Sequence, residues 1–143
     1  MPKKRKKMKI FEEKKNLAEE IEKAVEGLYY TSETDAEILP FIGEKSESVT
    51  AEKLLQQVKQ PKNSPVEERN FDEFFEHLTE KQDWFGDEET ETAKKFANLR
   101  NLLKENLKDL KVFKIGKIQL DVYFVGLDRQ GRLTGIKTKA VET

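Results

Sequence analysis

The chain has 143 residues, of which 36% are hydrophobic and 38% are charged. This length suits one domain with a real hydrophobic core, and nine phenylalanines argue against wholesale disorder. Because the sequence contains no cysteine, a disulfide framework and a thiolate metal site are excluded. No apolar run approaches the length of a membrane span, and the charged N-terminus lacks the apolar region of a secretory signal.

The net charge of −1 conceals two opposed parts of the chain, since residues 1–9 carry +6 and residues 10–143 therefore carry −7. This density of like charge predicts a disordered basic tail, 1–9, before a single domain, 10–143. An acidic domain repels phosphate backbones and attracts basic partners. The basic residues of the tail are Lys3, Lys4, Arg5, Lys6, Lys7 and Lys9. Two interpretations of the tail stay open: a nuclear-localisation or nucleic-acid-binding segment, or a merely solvated end.

The first third of the chain predicts one helix and one strand. Apolar residues recur at helical spacing from Ile10 to Glu26, and Gly27 is placed to end that helix. A short extended piece leads into the polar turn 31–35. Residues 37–43 are typical of a strand, and Pro40 favours an edge position in the sheet, because proline cannot donate to a neighbouring strand.

The middle of the chain predicts three helices. Thr50 is a suitable N-cap for a short helix that extends to about residue 60, and residues 61–68 form the least structured internal stretch. A capping box over 70–73 begins a second short helix that is rich in phenylalanine. The longest helix is predicted over 87–107, with acids in its first turn, where the helix dipole favours negative charge.

The C-terminal quarter predicts an antiparallel meander of three strands. A short apolar run at 112–115 ends at Gly116, which can adopt the positive φ of a tight turn. Apolar residues at every second position over 118–124 are typical of a half-buried strand. A turn at 128–131 then leads into a third strand at 133–141.

Amphipathic helices beside an open sheet must cover its apolar faces. The pattern therefore predicts an α+β fold, a three-layer α-β-α sandwich with a mainly antiparallel sheet.

Motifs for catalysis are missing from the sequence, because it has no glycine-rich phosphate loop and no metal-spaced group of His or Cys. His77 is the only histidine, and a single histidine is far more often a packed or surface residue than a general base. The sequence therefore predicts a protein that is not an enzyme.

Three segments of the sequence, in this order, resemble the cyanobacterial nuclease A inhibitor family. They are GLYYTSE at 27–33, QDWF at 82–85 followed by three acids, and the final part of the chain with LDVYFVG and GIKTKAVET. The resemblance covers roughly 17–33 and 71–143. The stretch 34–70 fits the family poorly, and residues 1–9 have no counterpart in it. The resemblance implies the same three-layer fold.

The resemblance also implies a function and a set of contacts. Proteins of this family inhibit a sugar-non-specific, Mg²⁺-dependent endonuclease of the ββα-metal type by occluding its active site stoichiometrically. On this basis Glu33 would occupy the place of a scissile phosphate, and Asp83 with Trp84 would anchor the interface. The hydroxyl of Thr143 would approach the nuclease's Mg²⁺, a hard cation that takes oxygen ligands, and Glu142 would add charge beside it. The inhibitor itself would need no cofactor.

Each of these residues also has an ordinary structural interpretation. Glu33 can be a solvated loop acid, Trp84 a core residue between two helices, and Thr143 a frayed chain end. A different function stays open as well, that of a nucleic-acid-associated or nuclear adaptor acting through the basic tail. Direct nucleic-acid binding by the acidic domain is not expected. We expect a cytoplasmic monomer, with the nucleus as the destination if residues 3–9 act as a localisation signal.

Overall fold

The computed structural model describes the backbone of residues 17–80 and 86–142, and the side chains of residues 17–30, 32–76 and 91–142. Within these residues the chain forms four helices and seven strands. In order they are α1 (17–25), β1 (Tyr29–Thr31), β2 (Asp35–Glu37), β3 (Leu39–Lys45), α2 (Ala51–Gln57), β4 (Val66–Asn70), α3 (Phe71–Glu80), α4 (Gly86–Asn106), β5 (Lys108–Ile115), β6 (Gln119–Leu127) and β7 (Arg132–Val141).

The main sheet has five antiparallel strands in the order β3-β7-β6-β5-β4. The predicted C-terminal meander is confirmed, because β5, β6 and β7 are neighbours and form the centre of this sheet. Pro40 lies on β3, an edge strand, as predicted. The strands β1 and β2 form a separate antiparallel hairpin, with Thr31 opposite Asp35.

One face of the sheet packs against α1, α3 and α4. Alternate residues of β6, Leu120, Val122 and Phe124, point into this layer. The rings of Phe75 and Phe124 meet edge to face at 5.9 Å, close to the separation that aromatic pairs prefer. The other core residues of this layer include Ile21, Val25, Leu28, Tyr30, Phe71, Phe74, Phe96, Leu99, Leu103, Leu107, Val112 and Ile136.

The opposite face of the sheet packs against α2, and this second core confirms the three-layer α-β-α sandwich. Leu54 and Leu55 of α2 meet Phe113, Val125 and other sheet residues there. The second layer also covers Tyr123, whose ring lies 5.2 Å from that of Phe41. The central part of β6 is therefore covered on both faces, whereas its alternating pattern alone predicted a half-buried strand.

Several predicted caps and turns are present. Gly27 follows α1 with φ +77°, and Gly116 has φ +120° in the turn between β5 and β6; glycine adopts both angles without the steric penalty of a side chain. The Thr50 hydroxyl accepts a hydrogen bond from the Lys53 amide at 3.2 Å. At the start of α3 the Asn70 side chain accepts one from the Glu73 amide at 3.0 Å.

The turn between β6 and β7 is built around the buried carboxylate of Asp128. It accepts hydrogen bonds from the Gln130 and Arg132 amides at 2.8 and 3.0 Å, from Arg132 Nε at 3.0 Å and from the Thr134 hydroxyl at 2.9 Å. Burial alone would raise the pKa of Asp128, but these hydrogen bonds and the Arg132 charge outweigh it and hold the pKa below its usual value. Folding therefore favours the ionised carboxylate here.

Two sequence predictions about local structure are wrong. Residues 66–68 were assigned to the least structured stretch, but they begin β4, which pairs with β5 from Val66 to Asn70. Ile118 was assigned to the buried face of a strand, but β6 begins one residue later and Ile118 is 56% exposed. Several boundaries also differ. The strand predicted over 37–43 is β3 at Leu39–Lys45, α2 ends at Gln57 rather than near residue 60, and β5 begins at Lys108 rather than at residue 112.

Some predictions lie outside the described residues. They include the basic tail, the first part of the helix predicted from Ile10, and the loop that carries the tryptophan. The side chain of His77 is outside them as well. Of the helices in the described ranges, none has both the length and the apolarity needed to cross a membrane.

Candidate functional site

Glu33 lies in the turn of the β1–β2 hairpin, where its side chain is exposed. The preceding residue, Ser32, holds this turn together. The Ser32 amide donates to the Thr34 carbonyl at 3.0 Å, and the Ser32 hydroxyl donates to the same carbonyl at 3.2 Å. A serine hydroxyl that closes a turn in this way fixes the backbone on either side of it. The turn therefore presents Glu33 from a defined backbone position.

The Ser32–Glu33 turn is joined directly to the end of β7. The Val141 amide donates to the Ser32 hydroxyl at 3.0 Å, and the Glu33 amide donates to the Val141 carbonyl at 3.3 Å. The Thr138 hydroxyl adds a third link, donating to the Glu37 carbonyl at 2.8 Å. The fold thus brings together two predicted site elements that are more than a hundred residues apart in sequence, Glu33 and the segment that leads to Thr143.

Glu142 is fixed at its backbone and at its side chain. Its amide donates to the Ile118 carbonyl at 2.9 Å, and its carboxylate pairs with Lys114 Nζ at 2.8 Å. The Glu142 side chain is still 42% exposed, so part of the carboxylate faces outward. Lys114 also lies 3.7 Å from a Glu67 carboxylate oxygen. The last described residue is therefore held in place by the protein's own contacts.

Two aromatic residues, Tyr30 and Phe74, pack beside the ion pair of Lys114 and Glu142. Tyr30 is 7% exposed and stacks on Phe74, with ring centroids 6.0 Å apart and planes within 8° of parallel. Lys114 Nζ and the Arg69 guanidinium each lie 5.8 Å from the centre of the Phe74 ring, within the range of a cation–π contact. Burial, and then the nearby Glu142 carboxylate, raise the pKa of Tyr30 to about 12, although Arg69 opposes this shift.

Three of the predicted site residues lie outside the described part of the chain. Asp83 and Trp84 fall in the segment 81–85 between α3 and α4, and Thr143 follows Glu142; all three lie outside the described residues. The basic tail residues Lys3, Lys4, Arg5, Lys6 and Lys7 lie outside them too. The structure thus brings Glu33 and Glu142 to one end of β7 and leaves the contribution of Asp83 and Trp84 as a prediction.

The structure adds two residues to the site that the sequence did not single out. Ser32 was visible only as part of the TSE segment, with nothing to indicate that its hydroxyl would bond to β7. Lys114 did carry a signal, because it shares a strand face with the buried Val112. A lysine at an inward position of a strand must find a partner for its charge. Neither the TSE segment nor the inward position of Lys114 indicates that the two side chains contact Val141 and Glu142, near the end of the sequence.

Further exposed acids lie on the hairpin that carries Glu33. Asp35 and Glu37 are exposed on β2, beside Glu33. Among the described side chains, no group of histidines and carboxylates is arranged to hold a metal ion. Exposed carboxylates beside a fixed segment are suited to accepting hydrogen bonds from the basic side chains of another protein.

Comparison with known families agrees with the resemblance. The family profile described as nuclease A inhibitor-like protein matches residues 15–143, which is nearly the whole chain. The chain therefore belongs to the nuclease A inhibitor-like family. The match includes the stretch 34–70, which resembles the family poorly by its motifs alone. Comparison with curated protein sequences gives no significant match.

Proposed function

We propose that this protein is an inhibitor of a sugar-non-specific, Mg²⁺-dependent endonuclease of the ββα-metal type, and that it works by binding over the active site with one-to-one stoichiometry. Residues 10–143 act as the single inhibitory domain. Glu33 takes the position of a substrate phosphate, and the residue after Glu142 reaches towards the metal of the nuclease. The metal belongs to the partner, and the inhibitor performs no catalysis of its own.

The observation that carries this proposal is the junction between the Ser32–Glu33 turn and β7. A nuclease binds a phosphate and a divalent cation close together, so an inhibitor that imitates both contacts must hold its two reaching groups side by side. Two hydrogen bonds support such an arrangement, one from the Glu33 amide to the Val141 carbonyl and one from the Val141 amide to the Ser32 hydroxyl, because they couple the Ser32–Glu33 turn to the end of β7. Preorganisation of this kind lowers the entropic cost of binding.

Charge supports the same conclusion. Residues 10–143 carry a net charge of −7, and a protein that binds nucleic acid usually presents a positive surface. Complementary potentials speed the encounter of two proteins and select the correct orientation. In this proposal the acids from Asp83 to Glu91 extend the negative surface, and Trp84 is the aromatic anchor within it. Both contributions rest on the family resemblance.

The test is a titration of such a nuclease with the protein, in which plasmid digestion measures the remaining nuclease activity. We expect activity to fall in proportion to added inhibitor until the two proteins are equimolar. Glu33→Ala and removal of Thr143 should each weaken inhibition. The matched control is Glu47→Ala, because Glu47 is also an exposed loop acid but lies near the opposite end of β7, where Ser46 bonds to Gly131. Unchanged inhibition by a variant with alanine at Glu33, Trp84 and Thr143 together would overturn the residue assignment.

A further inference from the structure

We propose that Lys114 is a positioning residue that clamps the segment Val141–Glu142 against the Ser32–Glu33 turn. This inference rests on the proposed function for its biological meaning, although the clamp itself is a property of the isolated protein. The one-sided exposure of the ion pair points to it: the Lys114 side chain is 10% exposed, while that of Glu142 is 42% exposed.

The position of Lys114 explains why one side chain can hold three parts of the fold. It lies on β5, directly opposite Glu67 of β4 and Val122 of β6. Its ammonium group reaches both oxygens of the Glu142 carboxylate at 2.8 Å, with Glu67 at 3.7 Å. The centre of the Phe74 ring lies 5.8 Å from the ammonium nitrogen. A buried ammonium with these few neighbours has a restricted set of orientations, so its position fixes the position of Glu142.

Stability alone does not account for this pair. Burying a lysine is unfavourable, and replacing a whole buried ion pair by apolar side chains of similar size is often neutral or stabilising. A methionine at this position would fill the space beside Phe74 without the cost of desolvating an ammonium group. What the methionine cannot do is hold the Glu142 carboxylate. The pair therefore fixes the location of the terminal segment, which an apolar pair of side chains would not do.

Local opening of the segment can be measured without any nuclease. The Val141 amide bonds to the Ser32 hydroxyl and the Glu142 amide to the Ile118 carbonyl, so hydrogen exchange at these two amides reports on the clamp. The variants are Lys114→Met, Lys114→Arg and Glu142→Gln. The matched control is Lys104→Met, which removes a different lysine–carboxylate pair, with Asp72 at 2.9 Å.

We expect Lys114→Met and Glu142→Gln each to accelerate exchange at the Val141 and Glu142 amides by about tenfold, the effect of losing one partly buried ion pair. The double variant should be no faster than either single variant, because both remove the same interaction. Lys114→Arg should restore most of the protection, and Lys104→Met should leave both amides unchanged. Exchange at the Ser46 amide, which bonds to the Gly131 carbonyl at the other end of β7 and can open while the clamp stays closed, should not change in any variant that folds.

Unchanged exchange at both amides in Glu142→Gln would overturn the clamp. This variant leaves Lys114 in place, so it tests the clamp even if Lys114→Met does not fold. Equal acceleration at the Ser46 amide would overturn it as well, since the effect would then not be confined to the terminal segment. Inhibition of the nuclease by the same variants is a separate measurement. If the clamp amides respond as expected but the wild-type protein inhibits no such nuclease, the proposed function fails and the clamp stands.

Discussion

The Ser32 hydroxyl offers the sharpest mutational test of the junction between Glu33 and β7. Replacing Ser32 by alanine removes the acceptor of the Val141 amide bond at 3.0 Å and the hydroxyl bond to Thr34 within the turn. The exposed side chain of Glu33 and its charge are untouched. Any effect on inhibition must therefore pass through the position of the backbone.

The expected size follows from the bonds that are lost. A neutral hydrogen bond in a partly exposed site contributes about 1 kcal/mol, which corresponds to a factor of about five in an equilibrium constant. We therefore expect Ser32→Ala, which loses two such bonds, to lower the free energy of unfolding by about 1–2 kcal/mol. The inhibition constant should rise by about fivefold, because only the bond to Val141 joins the turn to β7. Urea denaturation measures the first quantity, and titration of nuclease activity measures the second.

Ser46→Ala is the matched control for this experiment. The Ser46 hydroxyl donates to the Ser48 carbonyl at 2.7 Å, so its loss should cost a similar free energy of unfolding. Ser46 lies at the other end of β7, beside Gly131, and ten strand residues span about 30 Å. Its inhibition constant should match that of the wild type. Equal inhibition constants for the two serine variants would refute the idea that the junction positions Glu33.

Three further predictions concern the fold and the tail. Asp128→Asn should lower the free energy of unfolding by about 2 kcal/mol near neutral pH, because the buried hydrogen bonds to this carboxylate lose their ionic character. Since folding lowers the pKa of Asp128, this stability is present above the unfolded pKa, about 3.9, and is lost as the pH falls through the folded pKa, so the two proteins should converge in acid denaturation. Gly135→Ala should cost about 3 kcal/mol or more in thermal unfolding, because a Cβ there would collide with the backbone carbonyl of Phe124. Deleting residues 1–9 should leave inhibition unchanged and abolish any salt-sensitive DNA binding, which a filter-binding assay would detect.

The sequence predicted the parts of this fold that have local causes. Thr50 and Asn70 indicate where helices begin, because their side chains accept hydrogen bonds from amides three residues ahead. Gly27 and Gly116 mark turns because they adopt a positive φ. The alternation in β6 is visible because its Leu120, Val122 and Phe124 face one hydrophobic layer.

The edge strand β4 had no such signal. From Glu67 to Asn70 all its side chains are exposed, and Val66 alone is partly buried. The strand is held by backbone pairing to β5, which any residue except proline can provide. Hydrophobic periodicity therefore could not distinguish it from a loop. The prediction for Ile118 is wrong for the opposite reason, since this apolar residue continues the alternation of β6 but lies exposed in the turn before the strand.

The candidate site was predictable in its parts but not in its assembly. The resemblance singled out Glu33 and Glu142, yet nothing local indicates that the Ser32 hydroxyl and the Val141 amide would meet across 109 residues of sequence. Such a contact depends on the order of strands in the sheet, which places the end of β7 beside the β1–β2 hairpin. The inward position of Lys114 was visible in the alternation of β5, but its partner was set by the same topology.

The inhibitory surface can be located directly by hydrogen–deuterium exchange of the protein with and without an equimolar ββα-metal nuclease. We expect binding to slow exchange in 31–35 and 139–142, on either side of the junction, and to leave 44–48 at the far end of β7 unchanged. If the nuclease binds but protects 44–48 instead, or protects none of these segments, the junction of Glu33 and Val141 is not the inhibitory site.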